Sequence, residues 1–188
     1  MALPALKKGQ HYTYADYCAW DDSERWELIE GIPYAMSPAP SPIHQRVSMA
    51  IGRQLSNFLQ DKPCEVFAAP FDVRLNGLGD DDEDVVQPDI LVNCDREKID
   101  DKGCNGAPDM IIEILSPSTS RRDKVLKFNK YQNAGVREYW IVDPGDKTVI
   151  VSILDNGRYY TASYAETDTV PVYILDGCEI SLPDVFTE

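Results

Sequence analysis

The sequence predicts an α/β fold: one central sheet flanked by helices, with an N-terminal hairpin and a C-terminal β-meander. Three observations carry this. Val47, Ile51, Leu55 and Phe58 recur at helical spacing, giving the segment from Ser41 to about Gln60 one apolar face. Two apolar stretches, residues 85–92 and 108–115, read as strands, and each carries a carboxylate in apolar surroundings. The core order is then helix, strand, strand, strand, helix, strand, which is a sandwich pattern. A chain of 188 residues fits one domain with a sizeable core, and no repeat or boundary divides it.

The elements follow in order. Thr13 is an N-cap for a short aromatic-rich helix reaching about Trp20. Residues 26–31 and 32–36 read as a hairpin turning at Gly31, and residues 37–42 form a stiff Ser/Pro loop. Ser41 before Pro42 starts the amphipathic helix. Residues 64–75 read as a strand, and 76–84 as a loop ending in five consecutive acids. The two carboxylate strands come next, joined by a polar connection. Residues 116–120 break the second one, and a basic helix spans about 122–134 with Gly135 as its C-cap. Residues 138–143 are a strand turned by Pro144-Gly145. Residues 149–154, 159–164 and 171–174 form the meander.

Composition excludes several classes. Apolar residues make up 43% of the chain, so it has a core to bury. No stretch approaches the ~20 apolar residues of a membrane span, and the first nine residues lack a signal-peptide core. A cytoplasmic location is the expectation. The five cysteines are scattered, odd in number and never paired as C-x-x-C, which reads as reduced thiols. With only two histidines, a zinc site is disfavoured. The net charge of −14 disfavours nucleic acid unless basic residues cluster or a metal offsets the acids.

An ionised carboxylate in an apolar strand needs compensation, and a divalent cation between two such groups would supply it. Alternate residues of a strand share a face, so Asp109 and Glu113 face the same way. They stand about 13 Å apart, too far to share an ion. Asp89 and Glu113 can share one if their strands are neighbours. The bland alternative is that Asp89 only opens a strand and Asp109 only caps a turn. Oxygen donors suit Mg²⁺ or Mn²⁺.

The basic helix adds Lys124, Lys127 and Tyr131 at i, i+3 and i+7 on one face. Six of the 18 basic residues fall within 121–137, including Arg121, Arg122, Lys130 and Arg137. The run is either a solvated face or an anion site. His44 lies in the first turn of its helix, where surface histidines are common. Glu27 and Glu30 differ in strand parity, so at most one faces a site. The acid run 80–84 fails as an EF-hand, with Val85 at the sixth position and Leu91 at the twelfth. It reads as a mobile loop. No P-loop, G-x-G-x-x-G or G-x-S-x-G elbow occurs.

A series of motifs runs through the chain in fixed order. It comprises Glu27-Leu28-Ile29-Glu30-Gly31, His44 opening a helix, Gln87-Pro88-Asp89 and Glu113-Ile114-Leu115-Ser116-Pro117-Ser118. Asp123, Lys127, Tyr131, Gly135-Val136 and Glu138-Tyr139-Trp140-Ile141-Val142-Asp143 follow. This series resembles the Uma-two family of restriction-endonuclease-like proteins, over roughly Tyr12 to Phe186. The resemblance implies a PD-(D/E)XK nuclease fold, a mixed sheet flanked by helices, acting on nucleic acid, DNA foremost. It implies Asp89 after its proline and Glu113 as metal ligands, with the Ile114 carbonyl, and Mg²⁺ or Mn²⁺ as cofactor. Leu115 stands where the superfamily places its lysine. The usual relocation points to Lys127 as the third catalytic residue, with Lys124 a weaker substitute. Glu27, His44 and Tyr131 are accessory candidates.

The reading is a metal-dependent endonuclease. The alternatives are an inactive nuclease fold that binds nucleic acid or protein, and a hydrolase of smaller phosphate esters. A homodimer is also expected, because Tyr12, Tyr14, Tyr17, Trp20, Tyr159, Tyr160, Tyr164 and Tyr173 exceed what one small domain needs.

Overall fold

The computed structural model describes residues 9–20, 25–36, 40–116 and 122–187, with side chains 122–124 outside that description. Thr13 and Asp16 cap α1 (Tyr14–Cys18) reciprocally, side chain to backbone in both directions. The hairpin is β1 (Trp26–Ile29) and β2 (Ile32–Ala35), turned through Glu30 and Gly31 at positive φ. Ser41 caps α2 (Pro42–Leu59) through the His44 amide, with proline in the first turn.

The segment expected as one strand over 64–75 is two: β3 (Glu65–Ala68) and β4 (Val73–Arg74). The same happens over 85–92, where β5 (Val85–Val86) and β6 (Ile90–Asn93) flank Gln87-Pro88-Asp89. At both breaks the chain passes from one sheet to another. The crossings hold each other, because the Ala69 amide donates to the Asp89 carbonyl. β7 (Ile99–Asp100), β8 (Gly103–Asn105) and β9 (Met110–Ile114) follow. A π turn over Arg122–Lys127 runs into α3 (Phe128–Ala134), which ends at Gly135 in the left-handed region. Then come β10 (Glu138–Asp143), β11 (Thr148–Asp155), β12 (Arg158–Ala165), β13 (Thr169–Pro171), β14 (Glu179–Ser181) and α4 (Leu182–Val185). The last strand of the expected meander instead pairs in a separate ribbon, β13 with β14.

One sheet has the order β2-β1-β5-β4-β8-β7, the other β12-β11-β10-β9-β6-β3. The second is mixed: β9 and β10 are parallel, its other pairs antiparallel. Strand parity sorts its two faces. Ile90, Val92, Met110, Ile112 and Ile114 pack with Val47, Ile51 and Leu55 of α2 and with the C-terminal segment. Leu91, Ile111, Tyr139 and Ile141 pack with Tyr131 of α3 and with Val73 and Val86 of the first sheet. Tyr12 and Tyr14, with Tyr17 and Trp20, form a small core against Leu28 and Val85. Those four aromatic residues are used within the chain, which removes half the premise for a dimer. Tyr160 and Tyr173 remain exposed at 62% and 57%.

Two expectations about loops are corrected. Cys64 and Cys94 are bonded, so the thiols are not all reduced. Glu65 lies opposite Asn93, and one step further the register sets Cys64 against Cys94. Nothing in a 30-residue spacing announces that pairing. Closing a loop of that size stabilises by about 3–4 kcal/mol on the chain-entropy account. The acid run is not wholly solvated either. Asp82 is fully buried and accepts from the Asn76, Leu78 and Asp84 amides and from Asn76 Nδ2. Asp84 accepts from the Glu30 amide, and Lys130 Nζ lies 3.0 Å from its carboxylate. These acids are an internal brace between the hairpin and α3.

Glu138 is also fully buried, accepting from Trp140 Nε1 at 2.7 Å and the Ile174 amide at 2.9 Å. Burial pushes its carboxyl up to about 7, against the lowering effect of those hydrogen bonds. An acid raised on folding contributes stability at low pH that is lost as pH rises through the folded value. Between pH 5 and 8, folding stability should therefore fall by up to roughly 2–3 kcal/mol from this group alone. Urea titrations of Glu138→Gln at both pH values check this, with that part of the slope gone from the variant.

Candidate active site

The site forms where the chain changes sheets. β6 and β9 are antiparallel neighbours with Ile90 opposite Ile112. The register continued by one residue sets Asp89 opposite Glu113, on the face that Leu91 and Ile111 share. Asp89 turns one oxygen to the Ile114 amide, which donates to Oδ2 at 2.7 Å. His44 Nε2, from the first turn of α2, stands 3.3 Å from the same oxygen.

Glu113 and Glu27 are 4% and 1% exposed, and Lys127, at 3%, lies between them. Lys127 Nζ is 2.7 Å from Glu27 Oε1 and 2.9 Å from Glu113 Oε1. The Tyr131 hydroxyl donates to the same Glu113 oxygen at 2.6 Å. Burial, and then the charge of Glu113, push the Tyr131 phenol far up, so it stays protonated and donates. Lys127 and Tyr131, one turn apart, thus reach one carboxylate. Ion pairs buried this deeply survive only when every partner is in place.

Other candidates go elsewhere. Asp109 accepts from the Cys94 amide and pairs with Arg137 at 3.0 Å, so both serve the strand ends. Lys130 is taken by Asp84 and Glu30. The basic cluster therefore does not stay free as an anion site through Lys130 or Arg137, because acids from distant segments fold back on it. Glu30 is exposed in the hairpin turn while Glu27 is buried in β1, so only Glu27 faces the site. Arg121 and the side chains of Arg122 and Lys124 lie outside the described residues.

Gln87 also belongs to the site, although the sequence alone gives it no role. The Gln87 amide donates to Glu27 Oε1 at 3.1 Å. Its side chain donates to Asp72 at 2.7 Å and accepts from Arg25 Nε at 2.9 Å. Tyr14 donates to the other Asp72 oxygen. Gln87 thereby fixes the crossing segment that presents Asp89. A polar residue between the apolar pair Val85-Val86 and a proline was the available signal.

Lys127 lies between two of the three carboxylates, Glu27 and Glu113, while Asp89 meets His44 and the Ile114 amide, which leaves carboxylates in excess of lysine. That excess and the oxygen donors fit a hard divalent cation, which binds through one or two carboxylates and keeps several waters. Among the described residues, no group of three or more His, Cys, Asp or Glu is gathered to enclose a metal.

The comparisons agree with this architecture. Residues 13–183 match the model of the Uma2 family, described as "Putative restriction endonuclease", and the chain belongs to that family. Two Synechocystis proteins are similar: slr1290, 24% identical over 81% of this chain and 80% of its own length, and sll1609, 30% identical over 70% and 74%. Both carry the name "Uncharacterized protein". A crystal structure from Anabaena variabilis, described as "a putative nuclease belonging to DUF820", superposes with a TM-score of 0.72. It is 22% identical and covers 93% of this chain and 97% of its own. The fold is that mixed nuclease architecture. No helix among the described residues is long and apolar enough to cross a membrane.

Proposed function

We propose that the protein is a divalent-cation-dependent endonuclease that hydrolyses phosphodiester bonds in nucleic acid. The observation that carries this is the convergence of Glu113 and Lys127 beside Asp89, at the point where the chain changes sheets. Asp89 and Glu113 would hold Mg²⁺ or Mn²⁺, helped by the Ile114 carbonyl. Such an ion polarises a phosphoryl oxygen and lowers the pKa of an attacking water. Lys127 stabilises the charge that develops on the phosphoryl oxygens as water attacks phosphorus and the bond to the leaving oxygen breaks. Tyr131 and Glu27 hold Lys127 and Glu113 in place. His44, fixed against Asp89, completes the polar wall.

The charge distribution supports a polyanionic substrate. Residues 31–60 contain no Asp or Glu, although the chain carries 32 acids in 188 residues. That run includes α2, whose N-terminal turn supplies His44. Arg46 and Arg53 are exposed seven residues apart, about two turns, and so lie on one stripe of α2. Neither makes an ion pair among the described residues. Backbone phosphates can approach there without meeting the acids that cover the rest of the chain.

A second reading has one observation in its favour. Lys127 already compensates Glu113 and Glu27 within the chain, as an inactive nuclease fold that only binds nucleic acid or protein would require. Two measurements separate the readings. Incubating plasmid, linear single-stranded DNA and RNA with Mn²⁺ should give cleavage that Glu113→Ala abolishes. Mn²⁺ should also raise the melting temperature of the wild type, because an ion that binds only the folded state stabilises it by mass action. A folded protein that binds DNA, cuts none of the three substrates and gains no stability from Mn²⁺ is the binding module.

A further inference from the structure

β12 is the outer strand of its mixed sheet and, among the described residues, pairs with β11 alone. Strand edges of this kind are normally blunted by lysine, proline or a bulge. β12 has none of these. Its register with β11 is unbroken over eight residues, and residues 159–165 carry no charge in a chain of net charge −14. Thr161, Ala162 and Ser163 are all exposed.

The backbone shows which part of the edge is open. The hairpin turns through Asn156 and Gly157, both at positive φ, and its closing pair is Asp155 and Arg158. In a two-residue hairpin the closing pair exchanges hydrogen bonds, so even-numbered residues of β12 face β11 and odd-numbered ones face outward. Two bonds agree with this. The Tyr159 amide donates to Gln132 Oε1 at 2.9 Å, and the Ala165 amide donates to Asp168 Oδ2 at 2.7 Å. Asp168 returns its own amide to the Ala165 carbonyl. Both ends of the edge are thus occupied. Thr161 and Ser163 lie between them, with amides and carbonyls directed outward and no partner for them among the described residues.

We propose that this window pairs with the same window of a second copy, antiparallel about a two-fold axis at Ala162. An antiparallel strand pair exchanges both bonds between opposed residues. Centred on Ala162, Thr161 meets the partner subunit's Ser163 and Ser163 meets the partner subunit's Thr161, using all four open groups. The two Ala162 residues form the close pair on the axis, where a small side chain fits. Tyr160, 62% exposed, comes opposite Tyr164 of the partner subunit. A self-complementary window with blocked ends closes at two copies and cannot propagate as a fibre. The β12 edges join the two mixed sheets into one continuous sheet of twelve strands, twice the six in each copy. The inference does not depend on what the site catalyses.

The interface is small, and two acidic chains repel, so the pair should populate at high protein concentration and strengthen with salt. Light scattering on the full chain at high micromolar concentration and moderate salt should give about 42 kDa, twice the 21.1 kDa chain. Ser163→Pro removes only an outward donor, which an edge strand tolerates. It should give a folded 21 kDa particle by scattering and circular dichroism. Ala162→Glu, which sets two like charges in the close pair on the axis, should also give monomers, whatever Ser163→Pro does to folding. A monomeric wild type under these conditions overturns the proposal. So does a dimer that survives both Ser163→Pro and Ala162→Glu.

Discussion

Lys127→Ala is expected to cost stability and activity together. Its ammonium lies between Glu27 and Glu113, both almost fully buried. Removing one member of a buried ionic cluster leaves charge uncompensated, which costs about 3–5 kcal/mol. Urea denaturation should show that loss at pH 7. On the proposed reaction, cleavage should fall by roughly 10²–10³, the loss typical of one transition-state charge contact. The two effects separate in a double variant. Glu27→Gln with Lys127→Ala removes one of the orphaned charges, so it should recover part of the stability and none of the rate. Normal cleavage by Lys127→Ala with loss in Lys124→Ala would move the catalytic lysine by one turn.

The second large effect lies away from the chemistry. Asp82→Ala would strand four donors that converge on one buried carboxylate. Hydrogen bonds to charged groups contribute about 1.5–3 kcal/mol each and do not add fully, so a loss of roughly 3–5 kcal/mol is expected. For a domain of this size that lowers the melting temperature by roughly 6–20 °C. Asp82→Asn keeps one acceptor and should fall between the two. The damage should reach the site, because Asp82 holds Asp84, and Asp84 holds the Glu30 amide and Lys130. Calorimetric melting of the two variants checks the order. Equal melting of Asp82→Ala and wild type would return the acid run to the status of a solvated loop.

These two residues mark what could be read from the chain. The helix of Val47, Ile51 and Leu55, the apolar strand around Glu113 and the hairpin at Gly31 follow from local periodicity and turn chemistry. Lys127 was singled out because the family resemblance, with Leu115 where the lysine usually stands, implies relocation to the following helix, and its place between Glu27 and Glu113 is consistent with that. Asp82 was not legible, because five acids in a row look alike until a loop curls each one differently. The Cys64–Cys94 bond depends on the register between β3 and β6, which no spacing rule encodes. The breaks at Gln87-Pro88-Asp89 and after Ala68 were missed for a related reason. Each half remains a good strand, and only the packing of two sheets decides where the chain must turn. The neutralisation of Lys130 and Arg137 likewise comes from acids far away in sequence.

Everything proposed for the chemistry rests on Asp89 and Glu113 holding a divalent cation beside Lys127. Isothermal titration calorimetry of Mn²⁺ into the wild type, Asp89→Ala and Glu113→Ala tests it most directly, with circular dichroism confirming that each variant is folded. Saturable heat is expected for the wild type and none for either variant. A folded wild type that gives no heat up to millimolar Mn²⁺, or variants that bind as the wild type does, would contradict it.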